Sequence, residues 1–217
     1  QAWGKGFWEL LAFAMQMCLI MMTGYILACS PPVRRLLDGL SGWSNPEKPW
    51  QAILIMSLFS MIAAWLNWGL SLIASAMLAL FIVRRNPKVD YRLLVAAAYL
   101  GLGCTWHAGL SGSATLLVAT PDNFLIKGKL LDATIPVADT IFHPFNLILT
   151  VIVIAVVSIL MVLMHPRPEK VFVVKPELMN QLKLYEAPPM PTQWASPSDW
   201  MNWWPGFNLI VAIGGLI

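Results

Sequence analysis

Charge is what this sequence has least of. Of its 217 residues only 12% are Asp, Glu, Lys or Arg, while 58% are hydrophobic. Soluble domains carry roughly 25% charged residues, so the composition excludes an ordinary soluble domain and specifies an integral membrane protein. Cysteine is also scarce. Cys18, Cys29 and Cys104 fall in or at the edge of apolar segments without metal-ligand spacing, and read as packing residues. No Gly-rich phosphate loop, nucleophile elbow or basic nucleic-acid patch is present, so nucleotide chemistry, acyl transfer and a nucleic-acid partner find no support. The apolar run after Lys5 is too long for the h-region of a signal peptide. The chain lacks an initiator Met and stops at Ile217 inside an apolar run, which leads us to expect a piece of a longer protein.

The charges that do occur mark out the spans. Residues 7–29 can cross a bilayer core of ~30 Å, with Trp3, Phe7 and Trp8 as an aromatic belt and Ser30-Pro31-Pro32 as a stop. A punctuated loop follows, with room for a short interfacial helix over 33–40. Residues 141–164 form a clean Ile- and Val-rich span. A polar connector occupies 165–200, and 201–217 starts another membrane helix behind a Trp cluster.

Two segments are more informative. From Trp50 to Val83 there is no Asp, Glu, Lys or Arg in 34 residues, and Asn67-Trp68-Gly69 interrupts the run. One helix of that length would reach ~50 Å, too long for a single span, whereas two full spans need about 40 residues and a turn. Arms of 17 and 14 residues around a polar tip fit a re-entrant hairpin; two short, steeply packed spans are the plainer alternative. Lys and Arg concentrate in short cytoplasmic loops. Arg34, Arg35 and Lys48 precede the hairpin, and Arg84, Arg85, Lys88 and Arg92 follow it, so the segment enters and returns on one side. This layout puts 11 of 14 Lys and Arg residues on the cytoplasmic side, all but Lys5, Lys127 and Lys129.

The second segment, 93–120, is also free of Asp, Glu, Lys and Arg, yet the stretch from Gly101 to Asn123 gathers Gly101, Gly103, Gly109 and Gly112 with serines, threonines and His107. Irregular backbone survives at membrane depth only where protein or a watery cavity surrounds it. We expect a membrane helix broken at about 108–113, the kind of break at which secondary transporters hold substrate and coupling ion.

The stretches GKGFWELLAFAMQMCLIMMTGYILA, AAWLNWGLSLIASAM, DYRLLVAAAYLG and GLSGSATLLVATPDN closely resemble the N-terminal half of the bacterial short-chain fatty acid transporters of the acetoacetate/butyrate uptake type. The loop pattern is also similar to that of the divalent anion/sodium symporters, and both groups belong to the ion transporter superfamily. The resemblance implies an all-α integral membrane fold, the first half of an inverted-repeat secondary transporter, with a re-entrant helical hairpin and a broken transmembrane helix. It places the substrate and cation site at the tip (Asn67, Trp68, Gly69) and at the break (Gly109, Ser111, Gly112, Ser113), closed by Thr120, Pro121 and Asn123. Of the symporters' Ser-Asn-Thr tip signature only Asn67 is present, and His107 stands where relatives have a small residue. The implied partners are a short-chain carboxylate, the lipid of a bacterial inner membrane, the second half of the same chain and a second copy in a homodimer.

A carboxylate in a dry site needs N–H or O–H donors, which a helix N-terminus supplies. Ser113 is placed to cap the half-helix after the break, with Ser111 and Gly112 allowing close backbone approach. No cofactor is called for beyond a coupling ion, Na⁺ or H⁺. Sodium needs only carbonyls from 105–110 and hydroxyls, whereas a proton route has His107 alone as its titratable group. The alternatives are a di- or tricarboxylate carrier of the same fold and a membrane-embedded enzyme using His107 with Ser111 or Ser113. The enzyme reading lacks a carboxylate to orient the histidine.

Overall fold

The computed structural model describes residues 2–121 and 123–175, with residues 177, 197, 201 and 204. The expected helix start at 201–217 and much of the connector at 165–200 therefore lie outside the described residues. The chain divides into two units, Gln1–Leu184 and Tyr185–Ile217, and the first holds the elements below. All regular structure among the described residues is helical.

Helix α1 (Ala2–Cys29) runs straight into α2 (Pro31–Gly42), which starts on two prolines at positions where no intrahelical N–H donor is needed. This helix covers the expected 33–40 and continues beyond it. Pro49 likewise opens α3 (Pro49–Leu66), which is followed after one residue by α4 (Trp68–Arg85). The long charge-free run is thus a helical pair, with arms of 18 residues each rather than 17 and 14. At 1.5 Å per residue each arm measures ~27 Å. Both arms, and the later α9 (Pro144–Leu163), are long and apolar enough to cross a membrane.

Asn67 makes the one-residue turn. Its extended backbone (φ −155°, ψ 119°) leaves the helical region; its N–H closes α3 on Ala63 O, and its side-chain oxygen accepts from Leu70 N. One residue therefore satisfies the end of one helix and the start of the next.

The segment expected as one broken span comes in four pieces. These are α5 (Tyr91–Ala98), α6 (Leu100–Cys104), a 3₁₀ turn at Trp106–Ala108 and α7 (Ser113–Ala119). The break over 109–112 falls within the expected 108–113, and a further interruption occurs at Tyr99. A four-residue α8 (Phe124–Lys127) and a 3₁₀ turn at Val137–Asp139 lead to α9.

Helix α3 is the centre, with α4, α5, α6 and α9 packed around it. Ile53, Met56, Met61, Leu78, Ile82 and Leu94 are fully buried, interleaved with small residues such as Ala52, Ala64, Ala74 and Ala97. Lipid is as apolar as leucine, so membrane helices associate through close packing and interhelical hydrogen bonds rather than through escape from water. The bonds are present: Ser71 Oγ donates to Ser60 O (2.8 Å), Ser60 Oγ to Ala97 O (2.7 Å) and Thr105 Oγ1 to Met61 O (2.7 Å). Glycine makes room for them, since a Cβ on Gly101 would run into Ser60 O and Ala64.

The basic segments meet at one end. Arg85 pairs with Asp38 (2.6 Å) and Lys88 with Glu47 (2.8 Å), and Asn86 donates to Ser44 Oγ (3.0 Å). Asp90, buried, caps α5 through Leu93 N and accepts from Phe172 N (2.7 Å), while Tyr91 N donates to Phe172 O (2.9 Å). Burial works to raise the Asp90 carboxyl, but the N–H groups of Phe172 and Leu93 and the Arg92 guanidinium outweigh it and hold the group below its ordinary 3.8.

Candidate functional site

The tip between α3 and α4 lies directly against the break. Leu110 N donates to Trp65 O (2.7 Å), and Trp68 N donates to Ser111 Oγ (3.0 Å). Each bond serves a backbone group that a helix end would otherwise leave unpaired. Trp65 O belongs to the last turn of α3, and Trp68 N to the first residue of α4. The irregular backbone of the break therefore finishes what the hairpin leaves open. Glycine is required for the approach, because a Cβ on Gly109 would strike the Trp65 backbone.

Three tryptophans wall this junction. Trp68 meets Trp106 edge to face at 6.4 Å between centroids, and Trp106 Nε1 donates to Ser111 O (3.0 Å). Trp65 meets Phe142 edge-on at 6.4 Å. Asn146, in the first turn of α9, donates to Ala108 O (3.0 Å) and Ile141 O (2.9 Å), tying the break to that helix. No Asp, Glu, Lys or Arg lies between 93 and 121 or between 50 and 83, so fixed dipoles supply the electrostatics here.

Of the residues expected at the site, Asn67, Gly69, Gly109, Ser111 and Gly112 come together at this junction. Gly69 packs its backbone on Gly24 of α1. Gly112 fits closely, since a Cβ there would lie 2.6 Å from His107 O. His107 is exposed beside the Trp106 ring. The expected cap on α7 is corrected. Gly112 is the N-cap, and Ser113 is already helical, with no side-chain cap bond. Thr115 Oγ1 instead donates to Gly112 O (3.0 Å). Thr120 and Asn123 lie beyond the far end of α7, which separates them from the break by seven helical residues, ~10 Å along its axis. There Asn123 caps α8 and donates to Thr120 O (2.9 Å).

The carbonyls expected to meet a cation are largely engaged. Those of Thr105, Trp106, Ala108 and Gly109 each accept a hydrogen bond already, so an ion there would use their second lone pairs. Sequence reasoning missed Trp65, Trp106 and Asn146. An Asn in the first turn of an otherwise apolar span was the available signal for Asn146. Among the described residues no group of three His, Cys, Asp or Glu side chains is placed to hold a metal.

A family model described as short chain fatty acid transporter matches residues 1–214. A protein of Escherichia coli named "Putative short-chain fatty acid transporter" is 43% identical over 179 residues, covering 82% of this chain and 39% of that protein. A protein of the same name from Haemophilus influenzae is 35% identical over 181 residues, covering 82% of this chain and 40% of that protein. The chain thus spans about two fifths of the length of the curated relatives it matches. No solved structure matches it.

Proposed function

This chain belongs to the short-chain fatty acid transporter family, and from that premise we propose that it forms part of a secondary active carrier of short-chain monocarboxylates such as butyrate and acetoacetate. The carrier sits in the bacterial inner membrane and couples uptake to a cation gradient, Na⁺ or H⁺. The observation that carries the reading is the junction of tip and break, held by Trp68 N on Ser111 Oγ and Leu110 N on Trp65 O. Two interrupted helices that complete each other's backbone bonding leave dipoles and small residues where a carboxylate and its counter-cation are to be met. Asn67, Gly69, Gly109, Ser111 and Gly112 form the centre of the proposed site. His107, Ser113, Thr120 and Asn123 are its flanks.

The end where Arg85, Lys88 and Arg92 gather faces the cytoplasm in this reading. An inverted second repeat completes the site from the other direction, and two such carriers pair as a homodimer. Two pictures of the hairpin follow. In the first it is re-entrant, with Asn67 at mid-depth. In the second α3 and α4 each cross almost fully; their length of 18 residues and the contact of Trp65 with Phe142, next to the start of α9, favour it. Labelling of a cysteine at position 67 from each side separates them: reaction from the outer face alone supports crossing helices.

Transport is tested by uptake of labelled butyrate and acetoacetate into proteoliposomes holding the intact natural protein, under imposed Na⁺ or proton gradients. Gradient-driven accumulation is expected, and the effective gradient names the ion. Folded protein that accumulates neither acid contradicts the proposal. Chemically altered substrate would point to an enzyme.

A further inference from the structure

The junction leaves two donors open. Trp65 Nε1 and Trp68 Nε1 are buried atoms without a hydrogen-bond partner. They belong to residues on either side of the Asn67 turn, and both residues bond to the break through their backbones. Trp106, in the same cluster, has its indole N–H satisfied by Ser111 O. An indole nitrogen donates and never accepts, so whatever completes these two groups must be an acceptor. A cation is excluded as their partner. The remaining orphan side-chain atoms include hydroxyls (Ser75, Ser158), which can also accept, and Asn86 Oδ1, which accepts alone.

Resting on the transport reading above, we propose that Trp65 and Trp68 donate their indole N–H groups to the carboxylate of the transported acid. Two neutral donors suit a monoanion in a region without Lys or Arg. They recognise the carboxylate through hydrogen bonds to a charged acceptor, stronger than neutral pairs, yet without an ion pair that would hinder release. The rings of Phe142 beside Trp65 and Trp106 beside Trp68 offer apolar walls to a short alkyl tail. Trp65 and Trp68 then decide for the carboxylate, and the tail contributes little to that choice.

The test uses the intact natural protein in proteoliposomes with Trp65→Phe, Trp68→Phe and the double variant. Phenylalanine keeps an aromatic body and removes the donor. Each single change is expected to raise the half-saturating butyrate concentration about tenfold, and by a similar factor for acetate and hexanoate, because the lost contact is with the carboxylate. Single variants with wild-type half-saturation overturn the inference while wild-type uptake leaves the transport reading standing. Wild-type protein that takes up neither butyrate nor acetoacetate overturns both. A second measurement needs no variant. In ultraviolet resonance Raman spectra of the wild type, butyrate is expected to shift indole bands toward stronger N–H hydrogen bonding. An unchanged spectrum at saturating butyrate marks a water site only and overturns the inference.

Discussion

Helix α9 and the α3–α4 hairpin are both apolar enough to cross a membrane, and they use that property in opposite ways. Most of the outward surface of α9 is large and aliphatic, with Val151 65% and Ile148 61% exposed. The hairpin buries Ser57, Ser60, Ser71 and Ser75 among alanines and methionines and ends in a polar turn. One element turns its side chains outward, and the other packs them within the helix cluster. Hydropathy ranks α9 as the better membrane helix, yet the weaker candidate organises the fold, because polar groups and small residues create specific helix contacts that lipid-facing side chains cannot.

Substitutions that crowd the hairpin's contacts break this contrast most severely. Gly101→Leu forces a side chain into Ser60 O and Ala64 and should cost ~3 kcal/mol or more, seen as a large fall in thermal unfolding temperature in detergent. An unchanged melting curve would show that the close approach is not needed. Ser111→Ala comes next. It leaves Trp68 N–H unpaired, a loss of ~1–3 kcal/mol, with uptake reduced at least tenfold if the junction is the site.

How much of this was legible beforehand follows from which forces are local. Charge-free run lengths and a turn-forming Asn located the hairpin, and the cluster of Gly109, Ser111 and Gly112 located the break. Arm lengths came out short because Pro49, Arg84 and Arg85 read as loop and Trp68 and Gly69 as part of the tip, whereas Pro49 opens α3 and the other four belong to α4. The α7 cap moved from Ser113 to Gly112 because a cap is set by backbone angles. Here the break is fixed by Trp65, more than 40 residues away in sequence. Pairings at that separation, including Trp68 with Ser111, leave no periodicity to read.

Smaller effects sharpen the comparison. Asn67→Ala removes the cap on Leu70 N and should cost ~1 kcal/mol, measured as a shift in melting temperature. At the basic end, the lowered Asp90 carboxyl stabilises the fold at pH above its ordinary 3.8. That contribution is lost as pH falls below this value and through the lower folded one. Asp90→Asn should flatten this acid dependence and speed hydrogen exchange at the Phe172 amide; an unaltered acid limb would refute the assignment. Least of all, Val151→Ala on the exposed face of α9 should change stability by no more than ~0.5 kcal/mol.

The most direct measurement of the central claim sets Ser111→Ala against Val151→Ala in proteoliposomes of the intact natural protein, with labelled butyrate uptake driven by an inward cation gradient. The account predicts wild-type uptake for Val151→Ala and at least a tenfold loss for folded Ser111→Ala. Equal uptake by the two variants would contradict it.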